Sequence, residues 1–256
     1  MPDPLVLAIP ARYDSTRLPG KPLQILAGKP LIHHVIERAR QLESAEVVVA
    51  TDDSRVAQIA AEMGASVVMT RSDHATGSDR LAEAAEICGW TARTRVINLQ
   101  GDEPLMPLSC LEAVIEALDS DPDASVATLA TPILTIEEAF DPSCVKVVLC
   151  NSQRALYFSR APIPWFRNEW AQVEKSLPLQ SMFRHIGLYA YRAGALRSFA
   201  RLAQTPLEQA ECLEQLRLLE HGFRIVVRMA PERIPPGVDT PADLLRVEAL
   251  MRSSEN

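Results

Sequence analysis

The stretch LVLAIPARYDSTRLPGKP, residues 5–22, sets out the architecture of the chain in miniature. Leu5 to Ile9 is an unbroken apolar run of strand length, the pattern of a strand buried on both faces. The polar loop that follows carries prolines at 10, 19 and 22. Beyond it, Leu31–Gln41 places apolar residues at 31, 32, 35, 36 and 39, which is helical spacing. The same alternation continues. Strands are predicted at 47–50, 67–69, 95–99 and 125–131, and helices at 56–63, 79–88 and 111–118. Strand and helix in turn predict a mainly parallel α/β sheet covered on both faces, with ligands outside the carboxyl ends of its strands.

The second half reads differently. Residues 145–149 and 154–158 form a hairpin-like pair, and a Pro/Trp-rich loop with Trp165 and Trp170 follows. A strand is predicted at 185–191, one helix over 207–220, a strand at 224–229 and a last helix from Thr240-Pro-Ala-Asp243. In that last motif threonine caps, proline suits the first helical position and aspartate favours the helix dipole. The expected organisation is a single α/β domain over 1–256. Residues 1–135 form its first half, and 145–230 form a smaller inserted β region.

Composition narrows the classes. Of 256 residues, 47% are hydrophobic and the net charge is only −7, which excludes disorder. Ten glycines are too few for a low-complexity or collagen-like chain. A chain of this length buries a sizeable core without staples. The five cysteines lack CxxC or mixed Cys/His spacing, so they read as reduced thiols of a cytoplasmic protein. The apolar run at 5–11 is too short for a membrane span and has no basic segment before it. An excess of acid argues against nucleic acid as a partner.

Charge along the chain is uneven. Between Pro10 and Pro30, Arg12, Arg17, Lys21 and Lys29 face one acid, Asp14. Clustered cations at a strand-to-helix turn suit a polyphosphate. The loop is neither a Walker A sequence, since Gly20-Lys21 is followed by proline, nor a GxGxxG dinucleotide fingerprint. Two aspartates stand in comparable places: Asp102 in QGDEP after the fourth strand, and Asp239 in GVDTP before the last helix. Such a pair can share a hard cation, Mg²⁺, which takes a few carboxylates together with substrate phosphates. Each also has a plainer local reading, Asp102 as a turn residue and Asp239 as a helix cap.

Eight phrases, in order, resemble the 3-deoxy-D-manno-octulosonate cytidylyltransferases, or CMP-Kdo synthetases. They are IPARYDSTRLPGKPL (9–23), VVVATDD (47–53), DHATGSDRLAEA (73–84), VINLQGDEP (96–104), YFSRAPIPW (157–165), RHIGLYAYR (184–192), LEQLRLLEHG (213–222) and GVDTPADL (237–244). The resemblance implies a Rossmann-like nucleotide-diphospho-sugar transferase fold. It implies transfer of a cytidylyl group from CTP to Kdo for lipopolysaccharide synthesis, and a homodimer paired through the smaller β region. By resemblance, Arg12, Arg17 and Lys21 hold the CTP phosphates, and Arg80 and Gln100 recognise the nucleotide. Asp102 and Asp239 bind magnesium. Arg160, His185, Tyr189, Glu214 and Gln215 line the sugar pocket. Lys21, Arg12, Asp102 and Asp239 are the expected catalytic set. Sister activities on sialic acid or 8-amino-Kdo remain open at this point, as does a non-catalytic nucleotide sensor. Residues 231–236, PERIPP, depart from the family's usual approach to GVDT, and two prolines there stiffen it.

Overall fold

A computed structural model of the chain describes residues 3–167 and 181–254. Its main sheet begins with β1 (Leu5–Ala11), which pairs in parallel with β4 (Glu46–Thr51) on one side and β6 (Arg95–Asn98) on the other. β5 (Ser66–Met69) lies outside β4, again parallel. Beyond β6 comes β10 (Phe183–Arg192), antiparallel to both its neighbours, then β7 (Val126–Pro132) and β11 (Ile225–Met229), which are parallel to each other. The order is β11-β7-β10-β6-β1-β4-β5. The expected mainly parallel sheet is present, with one antiparallel strand set into it.

Strand period and helix period cooperate to build two core layers. Leu7, Ile9 and Ala11 of β1 point to one face, where they meet α1 (Leu31–Ala39), α2 (Ser54–Glu62) and α4 (Leu108–Ser120). Val6 and Ala8 point to the other, toward α3 (Gly77–Ile87) and α6 (Ala193–Arg201). An apolar strand with no polar alternation is what a sheet covered on both sides requires.

The hairpin expected in the second half is β8 (Lys146–Leu149) with β9 (Ala155–Ser159), hung from the start of β10. A two-residue pair, β2 (Ile25–Leu26) and β3 (Lys29–Pro30), sits before α1. The short α5 (Ile136–Phe140) and α6 were not expected from pattern; α6 follows β10 without any breaker between them.

One expectation is corrected. The helix predicted over 207–220 is two helices, α7 (Pro206–Glu211) and α8 (Gln215–Glu220), broken at Cys212, whose φ is +52°. The break lets Glu208 accept from Thr205 N–H at 3.3 Å while it grips Arg217 of the next helix at 2.5 Å. It also turns Glu211 toward the end of β9 and Glu214 toward the sheet's ligand edge. The final helix, α9, runs Pro241–Ser254 as expected.

Candidate active site

The chain leaves β1 toward β4 and β5, then returns to β6 on the opposite side of β1. That reversal opens a crevice at the carboxyl ends of β1 and β6, where α/β sheets bind ligands. A cavity of about 460 Å³ occupies it. The basic loop after β1, the turn 100–102 after β6 and the start of α3 form its walls, and Asp239 joins them from the segment before α9. These segments meet closely because two positions lack a side chain. A Cβ on Gly101 would stand 3.0 Å from Pro10 O, and one on Gly237 3.2 Å from Asp102 O. Val238 N–H donates to Asp102 O at 2.8 Å, which clips the distant segment in place.

At the centre is Lys21. Its Nζ lies 2.7 Å from Asp102 Oδ2 and 2.8 Å from Asp239 Oδ1, and Arg17 Nη2 reaches the same Asp239 oxygen at 3.1 Å. Burial pulls the Lys21 ammonium down, but the two aspartates outweigh it and hold its pKa above the ordinary lysine value. The plainer reading of Asp239 as a cap does not apply. Asp243 Oδ2 accepts from Asp239 N–H, Thr240 N–H and the Thr240 hydroxyl, while Thr240 Oγ1 accepts from Asp243 N–H. That reciprocal box caps α9 and leaves the Asp239 carboxylate to the cavity.

Arg80 and Gln100 are held from behind. Arg80 of α3 is buried and donates to Thr70 Oγ1 at 2.5 Å and Asp52 Oδ2 at 3.0 Å. Asp52 also accepts from Tyr13 N–H at 3.1 Å, so one carboxylate ties the basic loop to Arg80. Gln100 Nε2 donates to Asn98 Oδ1 at 3.2 Å.

Of the residues expected on sequence grounds, Arg12, Arg17, Lys21, Arg80, Gln100, Asp102, Asp239 and Glu214 line this one cavity. Arg160, His185, Tyr189 and Gln215 do not line it. The Arg160 guanidinium is spent on three carbonyls, Glu211 O at 2.7 Å, Pro142 O at 2.9 Å and Cys212 O at 3.4 Å. His185 packs edge-on against Phe158 with centroids 4.9 Å apart, beside Tyr189 at 5.3 Å. Burial pushes its imidazole down to about 3, so it is neutral at physiological pH. Its tautomer follows from a bulge in β10, where the register against β7 shifts between Ile186 and Tyr189. The single Thr128 hydroxyl proton serves the carbonyls of Ile186 and Leu188, each at 2.9 Å. The 3.0 Å contact between Thr128 Oγ1 and His185 is therefore donated by Nε2–H, leaving Nδ1 as an acceptor. Gln215 is buried. Glu214 Oε1 accepts from Ser78 Oγ at 2.8 Å, its Oε2 is buried without a partner, and burial raises its pKa. Trp170 and residues 168–180 of the Pro/Trp-rich loop lie outside the described residues.

Sequence reasoning assigned no role to Glu103, Asp52 or Asn98. The Glu103 carboxyl, pushed up to about 8 by burial and then by Asp102 and Asp239, is mostly protonated at neutral pH. The one available signal for Asn98 was an amide inside the apolar run 96–99. For Asp52 it was a second acid beside Asp53, which caps α2.

Two carboxylates directing oxygens at one cation, with arginines beside them, suit the chemistry of a nucleoside triphosphate, and the comparisons agree. A cytidylyltransferase family profile matches residues 6–229. The 3-deoxy-manno-octulosonate cytidylyltransferase of Xanthomonas campestris pv. campestris (strain 8004) is 51% identical over 251 residues, 97% of this chain and 100% of the relative. That of Xylella fastidiosa (strain 9a5c) is 53% identical over 247 residues, 96% of this chain and 95% of its own. Among solved structures, a CMP:2-keto-3-deoxy-manno-octonic acid synthetase complexed with CTP superposes with a TM-score of 0.88 at 45% identity, covering 98% of this chain and 100% of that one. A 4-diphosphocytidyl-2C-methyl-D-erythritol synthase, 12% identical with a TM-score of 0.64 over 98% of this chain and 99% of its own, shares the fold. The chain belongs to the cytidylyltransferase family and, within it, to the 3-deoxy-manno-octulosonate cytidylyltransferases.

Proposed function

We propose that this protein transfers the cytidylyl group of CTP to 3-deoxy-D-manno-octulosonate, giving CMP-Kdo and pyrophosphate. The observation that carries the reading is the convergence of Lys21, Asp102 and Asp239, from three distant segments, on one cavity that also holds Arg12 and Arg17. The anomeric 2-hydroxyl oxygen of the sugar bonds to the α-phosphorus. The bond from that phosphorus to the α–β bridging oxygen breaks, its electron pair leaves with pyrophosphate, and the hydroxyl proton passes to solvent. Arg12, Arg17 and Lys21 bind the polyphosphate and neutralise the charge that grows on the leaving group, with Lys21 already held in place by Asp102 and Asp239. Arg80 and Gln100 hold the nucleoside.

Asp102 and Asp239 are suited to Mg²⁺. They turn carboxylate oxygens to a single cationic atom, and this donor set leaves room for water and phosphate oxygens, as the ion prefers. When bound there it supplies Lewis-acid stabilisation of the phosphoryl oxygens. On the sugar side, Glu214 brings an unpaired oxygen to the cavity edge.

The reading includes a cytoplasmic enzyme of lipopolysaccharide synthesis that pairs as a homodimer through the β8–β9 region. Among the described residues β9 pairs only with β8, and its Leu156 is exposed. No described helix is long and apolar enough to cross a membrane. Pyrophosphate release with CTP, Mg²⁺ and Kdo tests the activity, with UTP and sialate as controls. Release with Kdo alone among the sugars is expected, and a preference for sialate would overturn the substrate.

A further inference from the structure

Asn98 is an amide in the wrong company. It lies in β6 between Ala8 of β1 and Tyr189 of β10, completely buried, in a run that otherwise reads Val, Ile, Leu. Its Nδ2 has no hydrogen-bond partner. A buried donor left unpaired costs about 1–3 kcal/mol, so retaining the amide calls for a use. Its Oδ1 accepts a hydrogen bond from Gln100 Nε2 at 3.2 Å. Asn98 shares the side of Val96, two residues earlier in β6, which packs in the α3 layer, and Gln100 Oε1 lies near Gly77 at the start of α3.

We propose that Asn98 is a positioning residue that fixes Gln100 as a hydrogen-bond acceptor toward the base, and thereby selects a pyrimidine with a 4-amino group over one with a 4-carbonyl. The inference rests on the CTP reading above and deepens it. A glutamine amide is ambivalent, since turning it over exchanges an acceptor for a donor. Two features decide which end faces the ligand. Asn98 Oδ1 takes the NH₂ end. The Oε1 end lies at the start of α3, where a Cβ on Gly77 would be 3.5 Å from it. The first turn of a helix presents unpaired N–H groups and the positive end of the dipole, which favours a carbonyl oxygen and disfavours an NH₂.

Gln100 and Gly77 line the cavity with Arg80, which is one helical turn beyond Gly77 on the same face of α3. Arg80 only donates, and Asp52 and Thr70 hold it in place. An acceptor beside donors matches cytosine, which offers its 4-amino hydrogens and the acceptors N3 and O2. Uracil sets its O4 acceptor against Gln100 Oε1 and its N3–H against the arginine. Without Asn98 the NH₂ end of Gln100 loses its partner, only the α3 terminus still biases the amide, and uracil is readmitted.

The test compares binding of CTP, UTP and pyrimidin-2-one riboside triphosphate, which lacks the 4-amino group. The proteins are the wild-type chain, Asn98→Leu, which keeps the shape and loses the acceptor, and Asn98→Asp, which keeps an acceptor. Wild-type protein is expected to bind CTP about 10-fold more tightly than the analogue, the worth of one well-placed hydrogen bond. Asn98→Leu should bring CTP, UTP and the analogue toward equal affinity, and Asn98→Asp should retain the preference. A purely structural Asn98 would weaken all three ligands together and leave their ratio unchanged, which overturns the proposal. So does a wild-type protein indifferent to the 4-amino group, a measurement that needs no variant to fold. If wild-type protein discriminates among these nucleotides yet releases no pyrophosphate with Kdo, the sugar assignment fails and this inference stands.

Discussion

The Lys21 ammonium rests 2.7 Å from a carboxylate oxygen of Asp102, a residue 81 positions further along the chain. No local pattern links the two. The contact exists because β1 and β6 are neighbours and the loops leaving them bend into the same crevice. A half-buried lysine held charged by two aspartates is ready to meet a polyphosphate without reorganising. Replacing it by methionine keeps most of the side-chain bulk and removes the charge. Lys21→Met should therefore fold and bind Kdo, but lose about 100-fold or more in turnover, the scale of one preorganised electrostatic donor. Steady-state pyrophosphate release measures it, and turnover near the wild-type value would remove Lys21 from the catalytic set.

Asp102→Asn keeps the size of the side chain and takes away one of the two charges proposed to hold Mg²⁺. The expected result is a raised Mg²⁺ requirement, seen as a shift of the activation curve to higher metal concentration, together with a large loss of turnover. Full turnover with an unshifted Mg²⁺ titration would refute the metal role.

The pair Glu208–Arg217 joins the two halves of the broken helix and is almost wholly buried, with side chains 6% and 7% exposed. Arg217 also stacks over Phe199, 4.2 Å from the ring centroid. Glu208→Gln leaves the guanidinium unneutralised, which should cost about 3–5 kcal/mol in a urea melt. Removing both charges, as Glu208→Gln with Arg217→Met, should recover part of the loss. A single variant as stable as wild type would show that the pair does not hold α7 to α8.

His185 predicts a pH dependence of stability. Burial holds its folded pKa near 3, against about 6.5 for an unperturbed imidazole. The unfolded chain therefore binds the extra proton first as pH falls. The contribution is fully present above pH 6.5 and is lost as the pH drops toward 3, by at most about 1.4 kcal/mol per pH unit. His185→Gln removes the titration and keeps a donor for Thr128. The stability difference between wild type and variant should shrink steadily in acid between those limits. A difference independent of pH would mean that the imidazole is not buried as described.

Much of the molecule was legible beforehand because its signals are local. Buried strands showed as apolar runs, amphipathic helices as a 3.6-residue period, and the α9 start as a capping motif. The broken helix at Cys212 was not legible, since α7 and α8 keep a nearly continuous helical pattern. What separates them is the left-handed turn at Cys212, after which Glu211 faces Ser159 and Glu214 faces Ser78 while Glu208 still holds Arg217 across the break.

The sequence by itself determined the α/β alternation, the family and the residue types of the site, because periodicity, charge and motif phrases are properties of short segments. Tertiary structure alone decided that Lys21, Asp102 and Asp239 share one point, that the Asp239 carboxylate faces the cavity, and that His185 is neutral. It also decided that the Gln100 side chain lies between Asn98 and the start of α3. Each of these depends on what packs around a group from distant parts of the chain. Burial and hydrogen-bond partners, which fix charge state and orientation, come into being only when the strands take their places in the sheet.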